Sequence, residues 1–211
     1  MVIKIEGGTV VHPEKEIQTD VWIDNDTIVA VGAADLPADK TIDARGCYVL
    51  PGAIDAHVHM QLPTPAGPSS DDFYTGSKAA ICGGTTTMID FVTPQKGQSL
   101  VDAVAQRKRE AEKSLADYSF HVSPIEWRDT TEQEIIECTN QGLTSFKIYM
   151  AYKGAVGLND EDIEKVLGVV GRHGGMVTVH AELGDEIDEL RLKAGENGNL
   201  SPEAHEATRP P

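Results

Sequence analysis

Cysteine is scarce in this chain: Cys47, Cys82 and Cys138 are three in number and far apart. No Cys-x-x-Cys spacing occurs, which argues against a disulfide framework and a cysteine-built zinc site. Reduced thiols, as in the cytosol, are expected. Positive charge is scarce too, with 18 Lys and Arg against 34 Asp and Glu and a net charge of −16. Nucleic acid is therefore not an expected partner, because phosphate backbones are held by clustered cations. The acidity reads as solubility. Long apolar runs are missing: MVIKIEGGTVV carries Lys4 and Glu6 and is no signal peptide. Nothing approaches the ~18 consecutive apolar residues of a membrane span. A soluble cytoplasmic protein with no membrane partner is expected.

What is present falls into two rhythms. Residues 1–50 hold VIKI, TVV, EIQTDVWID and DTIVAVG, rich in Val, Ile and Thr, with EGG and DND as expected hairpin turns. They predict a small β unit. Residues 51–211 alternate strand and helix. The strand candidates are AIDAHVH, TTTMIDFV, YSFHVSP, TSFKIYMA and MVTVHAE. The intervening stretches open near Ser, Thr, Asn or Asp and close near Gly, as capped helices do. The fifth sets Leu183, Ile187 and Leu190 at helical spacing under an acidic face. Five βα units predict a parallel sheet. An eight-fold barrel needs ~250 residues, so the pattern leaves two architectures open: a doubly wound sheet, or a barrel cut short.

Three places carry candidate chemistry. In IDAHVHMQLP, strand alternation puts Asp55, His57 and His59 on one face at a carboxyl end, where parallel α/β sheets form their sites. Two imidazoles there can chelate one cation, or be two unrelated histidines. His180 ends MVTVH, either as a hydrogen-bonded edge residue or at the corresponding end of a second strand. Lys147 sits inside TSFKIYMAY, with Ser145 and Tyr149 on its face. An unpaired buried ammonium is costly. It can pair with a carboxylate such as Asp55 or Asp90. Alternatively, the neutral amine, which burial favours, takes up CO₂ and becomes an anionic carbamate able to bridge two metal ions. CGGTTT has no P-loop lysine, and reads as a turn from helix to strand.

PGAIDAHVHMQLP, SSDDFYTGSKAAICGGTTTMIDF, GLTSFKIYMAYKG, MVTVHAE and HEATRPP, in this order and spacing, resemble the dihydropyrimidinase/hydantoinase branch of the amidohydrolase superfamily. The resemblance implies an α/β fold: a partial (β/α)₈ TIM-type barrel with a small N-terminal β-sandwich portion over residues 1–50. It implies two divalent ions, zinc by expectation, held by His57, His59, His180 and a carboxylated Lys147 that bridges them. It gives Tyr152 the role of donating to the substrate carbonyl oxygen as that oxygen becomes an oxyanion. The substrate implied is a cyclic ureide, opened to an N-carbamoyl amino acid, and full-length relatives assemble as tetramers.

Related dihydroorotases carry an arginine just after their HxH for a substrate carboxylate. Met60 and Gln61 stand here instead, so an uncharged dihydropyrimidine or 5-substituted hydantoin suits better. A further histidine ligand and an aspartate would lie beyond Pro211, which leads to the expectation that the 211 residues are a piece of the enzyme, inactive alone. Two other readings stand beside this one: a non-catalytic scaffold of the same fold, and an allantoinase-like hydrolase. Retention of His57, His59, Lys147 and His180 together speaks against the scaffold.

Overall fold

The computed structural model describes residues 1–64 and 67–210. Pro65 and Ala66 of the MQLPTPAGP loop and Pro211 of the closing motif lie outside the described residues. Two compact units result, Met1–Gly52 and Ala53–Pro211.

In the first unit, EGG is not a hairpin turn. VIKI and TVV belong to one strand, β1 (Val2–His12), which runs antiparallel to β2 (Lys15–Asp24). Between Ile5 and Gly8 the register slips, so β1 carries one residue more than β2. That is a β-bulge. Gly7 takes the left-handed conformation, φ 71°, that the bulge needs, and its freed N–H donates to Asp20 Oδ1 at 2.9 Å. At Gly8 a Cβ would fall 2.5 Å from Val49 Cγ2, so the second glycine admits a neighbouring strand. The sheet is completed by β3 (Thr27–Val31) beside β2, and by β4 (Lys40–Asp43) and β5 (Tyr48–Val49), both parallel to β1. The described residues of this unit form one sheet; a sandwich needs a second layer.

The second unit opens with β6 (Ala53–Asp55), then a short hairpin of β7 (Pro63–Thr64) and β8 (Gly67–Pro68). Four more strands follow: β9 (Thr85–Val92), β10 (Asp117–Val122), β11 (Ser145–Tyr149) and β12 (Met176–His180). Helices intervene: α1 (Phe73–Cys82), α2 (Leu100–Ala111), α3 (Thr131–Asn140), α4 (Asp160–Arg172), then α5 (Gly184–Glu196) and α6 (Glu203–Ala207). The parallel sheet runs β6-β9-β10-β11-β12, in chain order with no reversal. A doubly wound sheet reverses at a switch point and carries helices on both faces. Here residues of α1 to α4 share one core with Met88, Val92, Phe120, Val122, Phe146 and Ile148, which occupy a single face of the sheet. The architecture is therefore a curled parallel half-barrel, and the doubly wound alternative falls. Cys138 lies in that core, where burial pushes its thiol up to about 12, too high for a nucleophile.

Two expectations about individual elements are corrected. AIDAHVH is not a buried strand reaching His59. Pairing with β9 stops at Asp55, and Ile54 is 66% exposed because β6 is an edge. Leu183 does not join Ile187 in the core, because it precedes the first turn of α5 and is exposed, whereas Ile187 is buried.

Helix starts follow the local chemistry. Asp72 caps α1, accepting from the Tyr74 and Thr75 N–H groups at 2.9 and 2.8 Å, while Thr75 Oγ1 accepts from the Asp72 N–H. Its hydrogen bond from Lys113, 2.7 Å away, and then the Thr75 N–H, lower the carboxyl from 3.8 to about 2. A carboxyl lowered on folding stabilises fully above 3.8 and loses its effect as pH falls towards 2. Asp72→Ala is therefore expected to lower the melting temperature at pH 7, with the gap from the parent closing through that acid window in thermal melts.

Candidate active site

Side chains at matching positions of parallel strands project from the same face. The register pairs Phe91 with His121, Lys147 with Thr178 and Tyr149 with His180, and Val122 with Phe146, which sets His121 beside Ser145. Phe91, His121, Ser145, Lys147, Tyr149 and His180 thus line the face opposite the helices. Phe91, His121, Tyr149 and His180 stand at the carboxyl ends of their strands, with Lys147 at the middle of β11 and Ser145 at its start.

His57 and His59 reach this face although they lie beyond β6. Both rings rest on Phe91, with centroids 4.7 and 4.6 Å away, and they stand 5.1 Å from each other. His59 is open to solvent on one side and stacked on Phe91 on the other. That partial burial, then the charge of His57, pushes its pKa below the ordinary imidazole value. A proton-free imidazole is the state that ligates a metal. An ion held ~2.0–2.1 Å from one nitrogen of each ring at a tetrahedral angle sets ring centres roughly 5 Å apart. The observed spacing fits.

Lys147 is 7% exposed, and burial lowers its pKa below the usual lysine value. Neither carboxylate considered as its partner reaches it. Asp90 belongs to the opposite face of the sheet, where Arg107 Nη2 holds it at 2.8 Å, and Asp55 is exposed and receives the His57 N–H. Among the described residues Lys147 makes no ion pair. Its Nζ lies 5.2 Å from the Tyr149 ring centre, and its charge is close enough to lower the pKa of His59.

His180 stands 6.0 Å from the Tyr149 ring and 5.3 Å from that of Tyr152. Its Nε2 meets Glu182 Oε2 at 2.5 Å, and Arg209 approaches the other carboxylate oxygen at 3.6 Å. A carboxylate only accepts, so Nε2 carries the proton and Nδ1 is the nitrogen with a lone pair to offer. Tyr152 holds φ at 61°, a left-handed conformation unusual for an aromatic residue. Its carbonyl accepts from the N–H groups of Ala155, Val156 and Gly157, and this compact loop fixes the strained residue.

The site thus runs from His57 and His59 past Lys147 and Tyr149 to His180 and Tyr152. Among the described residues, no three His, Cys, Asp or Glu side chains converge closely enough to hold an ion by themselves. The candidate donors come as one imidazole pair, one buried amine and one oriented imidazole.

Sequence reasoning missed three contributors. Phe91 is the platform for both histidines. His121 is buried, with Nε2 donating to the Ala56 carbonyl at 2.9 Å and Nδ1 2.7 Å from Ser145 Oγ, and so ties the approach to His57 into β10 and β11. Glu182 sets the tautomer of His180. Strand alternation in YSFHVSP and IDFV could have placed His121 and Phe91 on the site face; the contact of Glu182 with His180 is set by the folded loop after β12 and has no local signal.

Residues 48–207 match the amidohydrolase family, and the chain belongs to it. It is 40% identical to a D-hydantoinase of Ralstonia pickettii over 100% of this chain and 46% of that protein. It is 40% identical to a dihydropyrimidinase of Dictyostelium discoideum over 99% of this chain and 42% of that one. A dihydropyrimidinase crystal structure from Brevibacillus agri superposes with a TM-score of 0.95 at 41% identity, covering 100% of this chain and 46% of the other. The chain spans a little less than half the length of these relatives. No helix among the described residues is long and apolar enough to cross a membrane.

Proposed function

We propose that this chain forms part of a metal-dependent cyclic ureide hydrolase that opens dihydropyrimidines and 5-substituted hydantoins to N-carbamoyl amino acids. One observation carries the reading. An imidazole pair spaced for a single ion shares a face with a buried lysine that no carboxylate among the described residues neutralises and with an oriented histidine. His57 and His59 would hold one ion, His180 the other through Nδ1, and Lys147 both. Lys147 takes that part as its neutral amine adds to CO₂, forming an N–C bond and releasing one proton to leave a carbamate anion. Two divalent ions held there, zinc by this nitrogen and oxygen donor set, would supply Lewis acidity to a water and a carbonyl.

The chain's own residues do the rest. The Tyr152 O–H donates to the carbonyl oxygen where negative charge develops. Glu182 keeps the proton on His180 Nε2. Across the reaction the ring C–N bond breaks, water supplies OH to the carbonyl carbon and H to the nitrogen, and the carboxylic acid so formed releases one proton to leave a carboxylate beside a ureido group. Met60 and Gln61 supply no cation to bind a substrate carboxylate, which supports an uncharged ring. The free cysteines suit the cytosol, and the reading extends to a homotetramer at the relatives' full length.

Metal analysis and turnover test it together. The 211-residue chain is expected to take up zinc weakly and to show negligible ring opening of dihydrouracil by chromatography. Rapid turnover by the chain alone contradicts the need for further ligands. No zinc uptake, either by the chain or by a protein of the relatives' full length, favours the non-catalytic scaffold.

A further inference from the structure

Where β6 ends, no sheet ladder holds the backbone that carries His57 and His59, and each polar group there needs another partner. The Ala56 carbonyl takes His121, the Val58 N–H takes the Ile89 carbonyl at 3.2 Å, and the Gln61 N–H takes the Asp71 carbonyl at 2.8 Å. Met60, the residue after His59, is held on both sides of its Cα. Its N–H donates to Asp90 Oδ2 at 2.8 Å, and its carbonyl accepts from Arg107 Nη2. The same Nη2 donates to Asp90 Oδ1 at 2.8 Å, which closes a ring of three hydrogen bonds around one peptide segment.

Asp90 is 1% exposed, and the Arg107 guanidinium lies 4.7 Å from the Phe73 ring centre while Nη1 binds Glu110 at 2.6 Å. The Met60 side chain fills a notch at Gly76, where a Cβ would come 2.3 Å from Sδ. A buried ion pair is weak evidence for stability, since apolar residues of similar volume often serve as well. What apolar residues cannot do is satisfy the N–H and C=O of a residue outside the ladder. Asp90 and Arg107 do both, from the helix-facing side of the sheet, with the two histidines on the other.

We propose that Asp90 and Arg107 are the positioning pair for His57 and His59, setting through Met60 the ring spacing at which the two imidazoles hold one ion. The proposal rests on the reading of those histidines as metal donors. Positioning partners of metal ligands typically alter affinity by about 10- to 100-fold when lost.

The test is Co(II) titration of the 211-residue chain, followed by visible absorption, alongside hydrogen exchange at the Met60 amide and denaturant unfolding. Arg107→Met is expected to weaken Co(II) binding by about 10- to 100-fold and to speed exchange at Met60. Arg107→Lys, which keeps a cationic donor, recovers most of both. Asp90→Asn keeps an acceptor for the Met60 N–H and gives an intermediate loss; these two variants carry the comparison if Arg107→Met does not fold. A merely structural pair would shift the unfolding midpoint and leave the folded chain's Co(II) affinity unchanged, and that result overturns the proposal alone. Absence of Co(II) uptake by the unsubstituted chain overturns this proposal, and absence in a protein of the relatives' full length as well overturns the metal reading.

Discussion

Replacing Lys147 by methionine is expected to make the chain harder to unfold and, at the same time, to remove most of its metal uptake. The two effects share a cause. Lys147 is buried with no anionic partner among the described residues, so its ammonium form lacks compensation there. Methionine has similar reach and no charge, and relief of that desolvation should stabilise by about 1–3 kcal/mol in urea unfolding. Metal binding should fall by more than the roughly 10- to 100-fold that loss of an outer-sphere partner costs, because the proposed shared ligand is gone. Added bicarbonate should raise zinc uptake in the parent chain and leave the variant unaffected, as read by elemental analysis. Equal uptake in both would remove Lys147 from the site.

The second large effect is expected at Tyr152. In a protein of the relatives' full length, Tyr152→Phe should lower kcat about 10²- to 10³-fold with little change in KM, the loss usual for a donor to a developing oxyanion. The ring and the backbone strain are kept, so unfolding should not shift. That combination separates a lost O–H from a disturbed loop. A kcat within a few-fold of the parent would assign the hydroxyl no part in the chemistry.

Features set by neighbours in sequence were legible. The caps at Asp72, Ser99 and Asn159 are made by side chains two or three residues from the N–H groups they satisfy. The alternation that buries Phe146 and Ile148 also turns Lys147 to the other face. What failed depended on distant partners. EGG carries turn residues, but a long antiparallel partner made it a bulge. AIDAHVH continues as an apolar run, but pairing stops at Asp55. Asp90 looked available to Lys147 because both stand in apolar strands; only the register shows them on opposite faces. The grouping of His57, His59, Lys147, His180 and Tyr152 came from motif resemblance, since local pattern cannot bring residue 57 near residue 147. The clamp on Met60 joins residues 60, 90 and 107 and left no local signal at all.

Each strand of the half-barrel pairs with the one laid down just before it, a single helix away. No pairing has to wait for a remote segment, so loop closure stays short and its entropy modest. The layer can accordingly assemble in the direction of synthesis, one βα unit at a time, as the chain leaves the ribosome. The histidines after β6 then gain their platform when β9 emerges, and the buried lysine on β11 is enclosed only afterwards.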